Sequence, residues 1–250
     1  MKFTTPPNKN YQQDIVILKE AIQNRERITF SKFCDGEWAV LQNNHIDNKE
    51  FNFDPSTDAF KRKKLLDAFQ YNNDRYFVGI TCVNVFGIET HRRMKMISGL
   101  SENRLTWADI WVNSNYIYFL KEIIPLFKNR DVVLFCNKRG KIENLPFVPY
   151  ALFPVENNAW QYNWDYIDSA KILLTKLKSQ GVEDLLVLFC CGPFGNILAY
   201  ELTKDCPYNT YLDIGSTLNP WLQSEAFKRD YYLGNNYFSN MVGAWDQVAE

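Results

Sequence analysis

The chain is poor in the residues that build transition-metal centres. It has only two histidines, His45 and His91, and its six cysteines, at 34, 82, 136, 190, 191 and 206, include no Cys-x-x-Cys pair. Zinc sites need such side chains in closely spaced pairs, so none is expected, and neither histidine has a partner at metal or triad spacing. No stretch approaches the roughly 20 apolar residues of a membrane span. The first residues, Met1 to Pro7, carry no apolar core of a signal peptide. Charge of one sign is also missing: the formal net charge is −1, which gives no bulk attraction to nucleic acid or anionic membrane. The densest basic cluster, Lys61-Arg62-Lys63-Lys64, falls on a predicted helix and reads as a solvated face. Several cysteines lie inside apolar runs, where a free thiol acts as a small hydrophobe. Together these absences predict a soluble protein of a reducing, cytoplasmic compartment.

What is present is core. Hydrophobic residues are 46% and aromatics 16% of 250 residues, ample for one domain spanning 1–250. Ile15, Leu18, Ala21 and Ile22 predict an amphipathic helix within 11–24, and Ser56 is placed to cap a helix holding Phe60, Leu65, Leu66 and Phe69. Residues 164–179 predict another helix, with Ile167, Ala170, Ile172, Leu173, Leu174 and Leu177 inward and Gly181 at its end. Near-continuous apolar runs at 76–82, 131–137 and 184–191 read as strands buried on both faces. Shorter strands are predicted at 27–30, 150–153 (ended by Pro154) and 208–213; 105–112 is ambiguous between strand and helix. A helix is predicted over 116–127 and another over 196–203. Strands alternating with helices indicate an α/β fold: a Rossmann-like, mostly parallel sheet with helices on both faces.

Ligands on such sheets bind beyond the carboxyl ends of the strands, and unusual residues collect there. After the first strand comes Cys34-Asp35-Gly36-Glu37, two carboxylates about a glycine where a helix begins. The plain reading makes Asp35 the N-cap and Glu37 a first-turn acid facing the macrodipole. The chemical reading makes Asp35 and Glu37 hard-oxygen ligands of a divalent cation that in turn holds a diphosphate. Lys138 and Arg139 follow another strand and suit a leaving phosphate. Gly192-Pro193-Phe194-Gly195 follows a third, a glycine turn of the kind that admits phosphate to backbone N–H groups, without the Gly-Lys-Ser/Thr tail of a Walker motif. Asp213, Gly215 and Ser216 end a fourth.

These segments resemble a known family, the glycosyltransferases of the GT-D fold, once catalogued as a domain of unknown function. Ser31 to Glu37 is similar to its Arg-x-Gly-Asp-Gly-Glu signature, and Phe153 to Trp160 to its Cys-Pro-x-x-Asn-Ala-aromatic segment. Cys191 to Ala199 is similar to its Gly-Pro-Thr-Ala-x-x-Leu-Ala turn, and Leu212 to Ser216 to its Asp-Ile-Gly-His end. The matches keep family order from residue 31 to 216, with Cys34 for a glycine, Lys32 near the usual arginine, Phe194-Gly195 for Thr-Ala and Ser216 for histidine. The resemblance implies transfer of a sugar from a nucleotide-sugar donor, typically UDP-linked, with Mn²⁺ or Mg²⁺ at Asp35 and Glu37. It implies Asn158 and Trp160 near the nucleotide, Gly192 and Pro193 on donor phosphate or ribose, and Asp213 and Ser216 lining the cleft. If the reaction inverts, Glu37 or Asp213 is the expected general base. A glycan, a glycoprotein or a modified base in phage DNA is the expected acceptor. Two other readings stand beside it: an Mg²⁺-dependent phosphoryl-transfer or nucleotide-hydrolysing enzyme using the same carboxylates, and a non-catalytic carbohydrate-binding protein relying on its seven tryptophans and fourteen tyrosines.

Overall fold

A computed structural model describes residues 1–223, 229–233 and 245. In chain order the elements are α1 (Tyr11–Gln23), β1 (Thr29–Phe33), α2 (Asp35–Leu41), β2 (Ile46–Asp47), β3 (Asn52–Phe53), α3 (Ala59–Phe69), β4 (Tyr76–Ile80), α4 (Val83–Ser98) and β5 (Leu105–Trp107). Then come α5 (Tyr116–Tyr118), a π turn (Phe119–Ile123), α6 (Ile124–Phe127), β6 (Val132–Asn137), β7 (Ala151–Val155), α7 (Ala159–Tyr162), α8 (Tyr166–Ser179), β8 (Leu186–Cys190), α9 (Pro193–Asp205), β9 (Thr210–Asp213) and α10 (Asn219–Leu222). Seven strands form one sheet in the order β5-β4-β1-β9-β8-β6-β7, and every pairing in it is parallel. β2 and β3 form a separate antiparallel hairpin.

A parallel sheet needs cover on both faces, and β1 shows how the sequence supplies it. Thr29, Ser31 and Phe33 point to one side. There Thr29 shares a 2.6 Å hydroxyl hydrogen bond with Thr203 of α9, Ser31 accepts one at 3.0 Å from Asn196 of α9, and the Phe33 ring lies 4.5 Å from that of Phe69 in α3. Phe30 points to the other side, edge-on to Trp111 and Phe3 at 5.4 and 6.4 Å. Each such buried aromatic contributes about 1.5–3 kcal/mol from its lost contact with water. The helix faces follow their period: Ile167, Ala170, Leu174 and Leu177 are the buried stripe of α8.

Several local expectations are corrected. The helix expected over 196–203 begins at Pro193, because proline suits the first helical turn, where its missing N–H goes unused. Pro154 does not end its strand; β7 runs through it to Val155, since β7 is an edge strand and an edge tolerates a missing donor. Ile172 is 70% exposed rather than inward. Ser56 does not cap α3; its hydroxyl and N–H both turn back to Asp54, and Asp58 stands at the N-cap. The ambiguous 105–112 is a three-residue strand followed by turns.

β1 leads outward to β4 and β5, whereas β9 is reached from the opposite flank through β8. Strand order therefore reverses between β1 and β9, where such sheets open a crevice at their carboxyl ends. The crossing of residue 108 over β4 depends on a glycine. A Cβ on Gly79 would lie 2.8 Å from Ala108 Cα and 2.9 Å from Phe30 Cζ. Gly79→Ala is expected to destabilise the fold by about 1–3 kcal/mol through overpacking, read as a lower urea midpoint.

Candidate functional site

The turn after β1 is built differently from its plain reading. Cys34, not Asp35, is the N-cap of α2, with extended backbone at φ −93°. Glu37 occupies the third helical position and accepts the Cys34 N–H at 2.9 Å, as a capping box requires. Two residues apart on a helix means about 200° of rotation, so the two carboxylates diverge. Asp35 is exposed and accepts no hydrogen bond from any described residue. Glu37 is buried, and that burial raises its pKa although Lys32 and the Cys34 N–H oppose the rise.

Behind this turn lies a charged cluster formed by three strand ends. Lys32, from β1, extends over Gly215, whose φ of +52° and lack of a side chain make room; a Cβ there would sit 2.3 Å from Lys32 Cε. The Lys32 ammonium lies 3.3 Å from Cys34 Sγ. Burial alone would lower its pKa, but the carboxylates of Asp213 and Glu37, with the hydrogen bond to Cys34, outweigh burial and hold it well above the ordinary value. Burial pushes the Cys34 thiol up to about 12, so at neutral pH it is a neutral thiol and the carboxylates balance the ammonium. Asp213, from the end of β9, accepts the Gly215 N–H at 3.0 Å and the Lys32 N–H at 3.4 Å. Its burial raises it to about 7 against the opposing pull of Lys32. Asp109, after β5, accepts Asn113 Nδ2 at 2.8 Å through Oδ2, while its sealed Oδ1 meets no donor among the described residues. Burial raises it to about 6, with Lys32 again opposing. Trp111 ties the two flanks together by donating its indole N–H to the Asp213 carbonyl at 3.0 Å.

The remaining expected residues lie along the same edge of the sheet. Gly192 caps α9 with a φ of +57° and Pro193 follows it. Gly195 lets this first turn press against its neighbours: a Cβ there would stand 3.1 Å from Phe189 Cβ and 3.9 Å from Asp213 Cγ. Ser216 shares a 2.8 Å hydrogen bond with the Tyr231 hydroxyl. Lys138 and Arg139 end β6, three strands from β1, which is about 14 Å across the sheet. Lys138 is paired with Glu156 at 2.6 Å, and Arg139 donates to Asn157 at 2.7 Å. Asn158 and Trp160 pin the β2–β3 hairpin: Asn158 accepts the Asn52 N–H at 3.2 Å, and Trp160, 1% exposed, donates to the Asn52 carbonyl at 3.0 Å.

Among the described residues no group of three or more His, Cys, Asp or Glu side chains is arranged to hold a metal ion. Mg²⁺ and ions like it are commonly held by one or two carboxylates, with substrate phosphates and water completing the shell. Asp35, exposed and uncommitted, fits that role; Glu37, with one oxygen capping α2, fits only as a neighbour through the other.

No known family profile matches the chain, and no curated protein matches it. Two solved structures do. One is a selenomethionine form of domain of unknown function 1792, with 16% identity and a TM-score of 0.55 over 81% of this chain and 77% of that one. The other is described as showing that this highly conserved domain has a distinct glycosyltransferase fold; identity is 15% and the TM-score 0.55, over 94% of this chain and 83% of that one. What the chain shares with them is the fold. The GT-D-type architecture expected from the short motifs is therefore the one found.

Lys32 and Asp109 were not among the site residues expected from the sequence. Each is a lone charge within an apolar strand run, and that is the signal that marks them. Asp109 and Asp213 both keep their protons to higher pH in the folded chain than the ordinary carboxyl value of 3.8 allows. Their contribution to stability is full below that value and is lost as pH rises through 6 to 7. Asp109→Asn, whose amide nitrogen fits the undonated Oδ1 position, is expected to flatten this loss. Denaturant titrations should show the variant gaining about 1–2 kcal/mol on the wild type between pH 5 and pH 8; an equal difference at both pH values would contradict it.

Proposed function

We propose that the chain is a metal-dependent glycosyltransferase that moves a sugar from a nucleotide-sugar donor, UDP-linked, to a hydroxyl of a glycan or glycoprotein. The observation carrying this reading is the meeting of Lys32, Glu37 and Asp213 at the β1–β9 crevice, beside the turn that carries Asp35, in a fold shared with a glycosyltransferase-fold domain. Such a donor needs its departing diphosphate neutralised, the largest electrostatic demand of the reaction. Asp35 would hold Mn²⁺ or Mg²⁺ together with diphosphate oxygens, and the bound ion would supply that neutralising charge. Gly192 and Pro193 open a thirteen-residue helix whose first N–H groups favour phosphate. Lys138 and Arg139 extend the cationic flank toward the nucleoside end, and Asn158 and Trp160 hold the hairpin that walls that side.

Asp213 is the general base in this reading. Its near-neutral titration matches the demand on a base at neutral pH, and Lys32 keeps part of it ionised there. The acceptor oxygen bonds to the anomeric carbon as the bond from that carbon to the diphosphate oxygen breaks, and the hydroxyl proton passes to Asp213. Glu37, engaged at the start of α2, supports the turn that presents Asp35. Six free thiols suit a reducing, cytoplasmic setting.

The test is thermal shift with a panel of nucleotide sugars, with and without Mn²⁺. A UDP-sugar at about a hundred times its Kd stabilises the fold by about 2.7 kcal/mol, and Mn²⁺ should enlarge the shift. Asp35→Asn should erase the Mn²⁺ increment and sugar transfer while leaving the ligand-free melting temperature unchanged, because the side chain is exposed. Full retention of the increment would overturn the assignment of Asp35. Release of inorganic phosphate with no sugar transferred would replace the reading with phosphoryl transfer or hydrolysis.

A further inference from the structure

An open cavity of about 680 Å³ is lined by the β2–β3 hairpin, the start of α3 and α7. The hairpin is tied to the carboxylate turn. Phe51 packs so closely on Gly36, between Asp35 and Glu37, that a Cβ there would be 3.0 Å from its ring. On its other flank Phe51 meets the Trp160 ring edge-on at 5.4 Å, and Asn158 donates its N–H to the Glu50 carbonyl at 2.8 Å. The cavity thus shares the hairpin with the turn that carries Asp35, and Asn158 lines it.

Its lining is acidic. Asp47, Asp54 and Asp58 face one ammonium, that of Lys61, which is already held by Asp58 at 2.7 Å and by the Gln161 amide oxygen. Such a wall repels a diphosphate or a nucleic-acid backbone and places no charge penalty on a neutral polyol. Carboxylate and amide oxygens are acceptors for hydroxyl groups. Tyr162, at the end of α7, leaves 66% of its surface exposed at the cavity, a flat apolar face with no burial to explain it. The volume falls within the usual range of about 300–1,000 Å³ for small-molecule sites.

We propose that this cavity is a sugar subsite outside the transfer crevice and that it takes a neutral sugar of the acceptor glycan remote from the reacting hydroxyl, with hydroxyls on Asp47, Asp54 and Gln161 and the apolar face of the ring on Tyr162. The proposal rests on the glycosyltransferase reading for the word acceptor, but not for the binding itself. It selects a neutral glycan over DNA among the acceptors the sequence left open.

The experiment is saturation-transfer NMR on the whole chain, without nucleotide or metal, using the methyl glycosides of glucose, galactose and N-acetylglucosamine and a single-stranded oligonucleotide as anionic comparator. At least one glycoside should receive saturation on its ring protons, and the oligonucleotide none. Tyr162→Ala should weaken binding about tenfold, Tyr162→Phe should restore it, and Asp47→Asn should weaken it less. No signal from any glycoside, an undiminished signal in Tyr162→Ala, or preference for the oligonucleotide would overturn the proposal. A parallel titration with UDP-sugar and Mn²⁺ separates the two readings: its failure in the wild type defeats the glycosyltransferase assignment, while the glycoside result stands by itself.

Discussion

The site is organised by a single ammonium group placed where burial opposes it. Lys32 is the cation against which Glu37, Asp213 and Asp109 are all set: burial raises the pKa of each of the three, and the field of Lys32 opposes that rise. An unpaired buried charge costs several kcal/mol, so this lysine is tenable only because acids from three strand ends converge on it. The convergence depends on backbone choices elsewhere: the positive φ of Gly215, the bare α-carbon of Gly195 that lets α9 press on Phe189 of β8, and the glycine in β4 that lets residue 108 cross closely.

The capping arrangement of α2 separates two carboxylates that look equivalent in the sequence. By choosing Cys34 as N-cap, the chain commits Glu37 to its own backbone and leaves Asp35 free. One acid maintains the turn and the other is exposed to solvent.

The architecture was legible because buried parallel strands announce themselves as apolar runs; β4, β6 and β8 fall within the stretches marked by composition. Pro154 does not end its strand and Pro193 lies inside a helix rather than in the turn before it, because a sheet edge and a first helical turn each leave the missing donor without a use. The loops carrying Asp35, Gly192 and Asp213 were legible as strand ends. The mutual field of Lys32, Asp109 and Asp213 was not, because it joins residues up to 181 positions apart and no spacing rule reaches that far. The hairpin was invisible for another reason: two-residue strands carry no period, and Trp160, rather than local sequence, anchors them.

Pro154 also bears on how the molecule behaves among copies of itself. β7 is an outermost strand of the main sheet, and the register places Pro154 in its interior, opposite Cys136. A row of free donors at such a rim is a template for adding a strand from another chain. With one donor deleted mid-rim, strand-by-strand growth from this flank is interrupted, and the hydrophobic strands inward of it are shielded from becoming the seed of a fibre.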